Sequence, residues 1–314
     1  MARALEGLRA YQQAQRSPPL PLMPAIAEAH GAKLRDYGGE GASVLFVPSL
    51  INPPNVLDLS AEKSLLRWLR EQGHRVLLLD WGWNADDRRR MSIAGHVEEI
   101  LLPLIATLDR PPSLVGYCLG GTMALAAAAL TEVRSLALIA APWHFSGFPE
   151  EARAMLGALW KSAEPPTAAL GLLPMEALQS AFWSLDPART VSKFEAFAAM
   201  EASSAEAQNF VTLEDWANDG PPLSEAAARE LFEGFFRDDL PGSGQWRVAG
   251  EAIDPNALAC PILNIVSITD RIVPHASAAS IGERLELKQG HVGMVVGGRA
   301  RAALWEPLAA WLSR

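Results

Sequence analysis

The stretch Ser113-Leu-Val-Gly-Tyr-Cys-Leu-Gly-Gly-Thr-Met-Ala-Leu-Ala-Ala-Ala-Ala-Leu130 decides the fold. Its first five residues have the length and apolarity of a buried strand, and Leu119–Leu130 is mostly alanine, the best helix former. Between them lies Gly116-Tyr-Cys118-Leu-Gly120-Gly121. This is the G-x-S-x-G nucleophile elbow with cysteine in place of serine. A nucleophile on a sharp strand-to-helix turn sits on strained backbone, so its neighbours must be small. The helix that follows aims its positive end at the sulfur and favours thiolate. A free cysteine is more often a small buried hydrophobe. The flanking glycines at a strand exit favour the nucleophile reading of Cys118.

Outward from this elbow, apolar strands alternate with helices. Ala32–Tyr37, Ser43–Val47, Arg75–Asp80, Arg134–Ala140 and Pro261–Ile268 read as strands, and residues 3–15, Leu57–Gln72, Ile93–Leu108 and Ala300–Leu312 as helices. Such alternation predicts an α/β fold with a mostly parallel sheet covered by helices on both faces. Residues 145–250 break the rhythm. They are helix-patterned, rich in Trp, Phe and Ala, and hold no convincing strand. They also carry 16 Asp/Glu against 7 Lys/Arg, whereas the rest of the chain balances at 20 of each. The expected organisation is therefore a core in two parts, 1–144 and 251–314, interrupted by a helical lid (cap) over 145–250.

Composition narrows the function. Of 314 residues, 49% are hydrophobic, ample for a core and too many for a disordered chain. The net charge of −9 disfavours nucleic acid as a partner. No apolar run reaches the length of a membrane span, and the first residues lack the apolar core of a secretory signal. Two cysteines, Cys118 and Cys260, are too few for a disulfide framework and fit a reducing cytoplasm. Walker, dinucleotide and zinc patterns are missing, so no cofactor or metal is expected.

A cysteine nucleophile needs a base and an orienting acid, which follow such an elbow in the order acid, then base. Of the later histidines, His291 lies between glycines in Gln289-Gly-His-Val-Gly293, ahead of the last helix, and is the expected base. His144 comes too early and reads as a hinge or pocket residue; His275 reads as a solvated loop residue. Asp270 directly follows the run ILNIVSIT and is the expected acid; Asp254 lies at the wrong end of that strand. Cys260 reads as structural. The oxyanion hole needs two backbone donors. One is the Leu119 amide; the other belongs to Leu50 or Ile51 in the turn Pro48-Ser-Leu-Ile-Asn-Pro-Pro54, whose prolines donate nothing. Arg88-Arg-Arg90 reads as a solvated helix start, with a phosphate contact as the functional option. Trp183, Phe210 and Trp216 are expected in core packing, with pocket lining as the alternative.

The ordered set of motifs resembles the polyhydroxyalkanoate synthases of the α/β-hydrolase superfamily, most closely the catalytic subunit of the two-subunit, class III type. The likeness runs from about residue 42 to the C-terminus. It rests on Pro48-Ser-Leu-Ile-Asn-Pro-Pro54, Trp68-Leu-Arg-Glu-Gln-Gly-His-Arg-Val76, Asp80-Trp-Gly82, the Cys118 box, Asn209-Phe-Val-Thr-Leu-Glu-Asp-Trp216, Pro261–Pro274 and Gly290-His-Val-Gly293. The resemblance implies a transferase that polymerises 3-hydroxyacyl-CoA into polyester and releases CoA. Cys118 would carry the acyl chain, with His291 activating it and Asp270 assisting. It also implies action in the cytoplasm at polyester granules, a homodimer, and a non-catalytic second subunit or granule-associated proteins as partners. Two departures stand out: Arg271 replaces the usual histidine after the acid, and the segment from Asp270 to His291 is short, as if a strand or loop were trimmed. The same triad would equally serve a thioesterase, an esterase or an intracellular depolymerase. A granule-binding protein without chemistry is the reading furthest from an intact triad.

Overall fold

The computed structural model describes residues 2–83, 88–185 and 187–314. An N-terminal helix, α1 (Ala2–Gln13), precedes an eight-stranded sheet. Its strands are β1 (Ala25–Ala29), β2 (Ala32–Gly38), β3 (Glu40–Val47), β4 (His74–Asp80), β5 (Ser113–Tyr117), β6 (Ser135–Ile139), β11 (Ile262–Ser267) and β12 (Glu283–Leu287). They lie in the order β1-β2-β4-β3-β5-β6-β11-β12. Pairing is antiparallel at β1–β2 and β2–β4 and parallel from β4 to β12.

The period of two along each strand divides the core between the two faces. Leu45, Val47, Leu77, Leu79 and Leu114 pack on one face with α3 (Ile93–His96), α4 (Leu102–Ala106) and α5 (Leu119–Leu130). Val44, Phe46, Val76, Leu78 and Val115 pack on the other with α2 (Leu65–Glu71), α11 (Gly293–Val296) and α12 (Glu306–Leu312). Strands buried on both faces read as continuous apolar runs, which is why β3 to β6 and β11 are evident in the sequence. Between β6 and β11 the chain is mainly helical: α6 (Glu150–Leu170), α7 (Met175–Leu185), α8 (Pro187–Phe197), α9 (Ala205–Ala217) and α10 (Glu225–Arg229), the last continued by a π-helical stretch to Arg237. No helix among the described residues is long and apolar enough to cross a membrane.

The structure corrects several expectations. The helix expected over Leu57–Gln72 starts only at Leu65, after a single tight turn at Pro54–Leu57. Asp58 is held by the Tyr37 hydroxyl at 2.9 Å and the Arg67 guanidinium at 2.7 Å, and Ser64 Oγ caps the helix by accepting from Arg67 N. These anchors outweigh the apolar periodicity of Leu57–Ser64. The helical stretch is not strand-free: β7 (Leu172–Leu173) pairs with β8 (Leu223–Ser224), and β9 (Arg247–Val248) with β10 (Glu251–Ala252). The short segment between Asp270 and His291 keeps a strand, β12. Its connection from β11, residues 268–282, carries only the tight turn His275–Ser277 where a parallel crossover ordinarily carries a helix.

Candidate active site

Four parallel strands end at one cavity of about 340 Å³. Pro48, Ser49 and Ile51–Pro53 after β3, Cys118 after β5, Thr269–Ile272 after β11 and Gly290–Gly293 after β12 border it, as do residues of α8 and α9. Carboxyl ends of parallel strands are where α/β sheets place ligands, because the loops there converge.

Cys118 stands at the turn from β5 into α5 with φ +56° and ψ −132°, left-handed backbone that a cysteine adopts only under constraint. Its N–H donates to the Ile139 carbonyl at 2.9 Å, and its own carbonyl accepts from Gly121 N at 2.8 Å. The flanking glycines are required by close approach. A Cβ on Gly116 would overlap Gly121, and one on Gly120 would overlap the carbonyl oxygens of Val47 and Pro48. The thiol is partly exposed at the N-terminus of twelve-residue α5.

Asp270 is held just beyond β11. Its Oδ1 accepts from Ile272 N at 2.8 Å and Val273 N at 3.0 Å, which leaves Oδ2 for His291 Nδ1 at 2.6 Å. The carboxylate is fully buried and the imidazole nearly so. The loops that carry them are tied together: Ser267 Oγ donates to the Gln289 carbonyl and Thr269 Oγ1 to the Lys288 carbonyl. Burial alone would push the His291 imidazolium down. The adjacent Cys118 and Asp270 charges and their hydrogen bonds reverse this and push it up to about 10. Cys118, His291 and Asp270 thus form one chain, its imidazole and carboxylate buried and its sulfur partly exposed, with the imidazole between sulfur and carboxylate.

The sequence offered no sign that Tyr117, the second residue of the box, stacks on the base. Its ring lies 5.1 Å from the His291 ring at 25°, and its hydroxyl reaches the His291 carbonyl at 3.3 Å. Burial raises the Tyr117 phenol well above its ordinary range, so it stays a neutral donor. A second unforeseen feature is the pair Lys193–Glu214, 2.6 Å apart on the cavity wall.

The remaining candidates separate cleanly. Leu119, the residue after Cys118, is buried at the start of α5. Ile51 borders the cavity and its N–H donates to Ser49 Oγ at 3.2 Å, whereas Leu50 is buried and does not border it. His144 and Asp254 border a different cavity, and His275 is exposed. Cys260 packs against the core, and burial pushes its thiol up. Arg88 is not solvated as expected: it is 1% exposed and donates to the Trp81 and Trp83 carbonyls, a backbone clamp that no triplet pattern reveals. Trp216 is buried on the cavity wall, Phe210 packs on Phe197 away from it, and Trp183, against the core expectation, is 49% exposed at the cavity rim.

Comparison with known proteins follows the same lines. The chain is 28% identical to the poly(3-hydroxyalkanoate) polymerase subunit PhaC of Haloarcula marismortui, over 94% of this chain and 65% of that protein. It is 28% identical to the PhaC subunit of Synechocystis over 86% of this chain and 77% of that protein. The chain therefore spans just under two thirds of the haloarchaeal relative. Among solved structures, the monoacylglycerol lipase of Paleococcus ferrophilus matches with a TM-score of 0.54 at 14% identity, covering 90% of this chain and 98% of that one. A family model described as the alpha/beta hydrolase family matches residues 44–303. With this span matched and the strand-exit elbow in place, the chain belongs to the alpha/beta hydrolase family.

Proposed function

We propose that the protein is an acyltransferase that polymerises 3-hydroxyacyl-CoA into polyester through a thioester on Cys118. The observation that carries the proposal is the set Asp270–His291–Cys118 at the cavity, in a chain similar to PhaC subunits over most of its length. The Cys118 thiolate attacks the acyl carbonyl; the S–C bond forms, the bond to the CoA sulfur breaks, and His291 gives its proton to the leaving thiolate. The negative charge that develops on the carbonyl oxygen is met by the Leu119 N–H and a donor from the turn after β3. His291 then takes the proton of an incoming hydroxyl, whose oxygen replaces sulfur on the carbonyl carbon. Asp270 keeps the imidazole oriented with Nδ1–H inward.

Sulfur suits this cycle, because acyl transfer between two thiols is close to isoenergetic and the enzyme-bound acyl group stays reactive. Whether it passes to a hydroxyl or to water depends on water access. Residues 145–250 act in this proposal as the lid, with Leu213, Trp216 and Lys193 facing the cavity. The acyl chain would lie against its apolar wall.

The test is incubation with 3-hydroxybutyryl-CoA, following free CoA, insoluble polymer and free 3-hydroxybutyrate in one tube, beside Cys118→Ala. Polymer with CoA release, both lost in Cys118→Ala while the fold is kept, is the expected outcome. CoA release with only the free acid makes the protein a thioesterase. Turnover that survives Cys118→Ala moves the nucleophile elsewhere.

A further inference from the structure

The turn after β3 meets the nucleophile elbow at the Pro48 carbonyl. This oxygen lies against Gly120, where there is no room for a Cβ. It also accepts the Trp81 indole N–H at 2.9 Å. Trp81 follows β4, the strand beside β3, and its side chain is buried. The indole is itself held in place: the His96 ring meets it edge-on at 5.8 Å, its backbone carbonyl accepts from buried Arg88 at 2.7 Å, and the His96 ring is fixed by Nδ1 at 2.7 Å from the Ser92 carbonyl. Burial pushes His96 down to about 4, so it packs as a neutral ring near neutral pH.

A peptide plane has two ends. Fixing the Pro48 carbonyl fixes the plane that runs into Ser49, and with it the direction of the short turn that must supply the second oxyanion donor. The opposite end of the turn is held separately, by Trp216 Nε1 on the Pro53 carbonyl at 2.8 Å. The Trp81 end is the one that lies against Gly120 of the elbow. We infer that Trp81 is a positioning residue for acylation: its indole N–H sets the β3 turn against the elbow, so that the two oxyanion donors stay in register. The inference rests on the proposed Cys118 chemistry, and needs only the acylation half of it.

The test exploits a difference between two reactions of one thiol. Acylation by p-nitrophenyl butyrate passes through a tetrahedral oxyanion: the S–C bond forms, the ester C–O bond breaks and p-nitrophenolate leaves as a burst. Alkylation by iodoacetamide displaces iodide and develops no oxyanion. Trp81→Phe keeps an aromatic ring and removes the donor together with the smaller ring that carries it, and the alkylation rate controls for the lost packing. The expected result is a burst rate constant about tenfold lower, smaller than the roughly 10²- to 10³-fold loss of an oxyanion donor itself, with the concentration for half-maximal burst rate and the alkylation rate unchanged. If acylation and alkylation fall together, the residue is merely structural and the inference fails. A wild-type burst that Trp81→Phe leaves intact also overturns it. A wild-type protein that gives neither burst nor alkylation at Cys118 removes the nucleophile, and the inference falls with the reading beneath it. If Trp81→Phe does not fold, Trp81→Leu takes its place, and the ratio of the two rates decides in the same way.

Discussion

On the strand side of the cavity, the candidate reacting groups are placed by the backbone. Cys118 is locked by the Ile139 carbonyl and by glycines packed against neighbouring main chain, and Asp270 is held by two N–H groups. On the helical side, position depends on side-chain pairs. Lys193 reaches Glu214, Asp215 reaches Tyr11 and Arg16, and Arg229 reaches Glu164, Glu225 and Glu233. Arg16, Asp215, Arg229 and Glu164 are substantially exposed, and exposed ion pairs contribute at most about 1 kcal/mol each, whereas Glu214 is buried. The difference is one of anchoring: the strand side is fixed by main-chain contacts, and the helical side is held mainly by side-chain pairs, which are the weaker restraint.

The comparison can be broken most severely at Gly120. Gly120→Ala forces a methyl into the Val47 and Pro48 carbonyls, and should cost roughly 3 kcal/mol or prevent folding, read as a fall in the urea midpoint. Retained stability would mean that the elbow tolerates movement and that backbone packing does not set it. A smaller effect comes from acid. His96 is pushed down to about 4 by burial, with the Arg88 charge adding to it. Its folded-state value lies below the unfolded one, so the unfolded chain takes the proton first. The contribution is present above about pH 6.5 and is lost as pH falls toward 4, amounting to about 2 kcal/mol at pH 5. Urea midpoints at pH 7 and pH 5 should show that drop, and His96→Leu should flatten it. The smallest effect belongs to the helical side. Asp215→Asn should change global stability by less than about 1 kcal/mol. It should raise Cys118 alkylation by a bulky maleimide by no more than about fivefold, and added salt should mimic it in the wild type. A multi-kilocalorie loss would make that side as rigid as the other.

The same division explains what the sequence made legible. The inner strands were readable because burial on both faces leaves one solution, a continuous apolar run. The positions of Cys118, Asp270 and His291 were readable because the elbow needs glycines and the partners follow strand ends in a known order. The edge strands were not. β1 (AIAEA) is exposed and β12 (ERLEL) carries three charges in five residues, so neither has the apolar run that marks an inner strand. Arg88 was misjudged because a buried guanidinium that donates to backbone carbonyls is indistinguishable, in one dimension, from a surface cation. Tyr117 on His291 and Lys193 on Glu214 are contacts across 174 and 21 residues, and neither has a spacing signature.

At the end of α9, three consecutive side chains leave in three directions, as about 100° of helical turn per residue requires. Glu214 binds α8, Asp215 binds the N-terminal segment, and the Trp216 indole binds the Pro53 carbonyl. Three contacts spread around an axis remove a rod's freedom to roll. α9 therefore has no intermediate setting in which one contact yields while the others hold their geometry. Any movement of α9 as a body thus loads all three contacts at once.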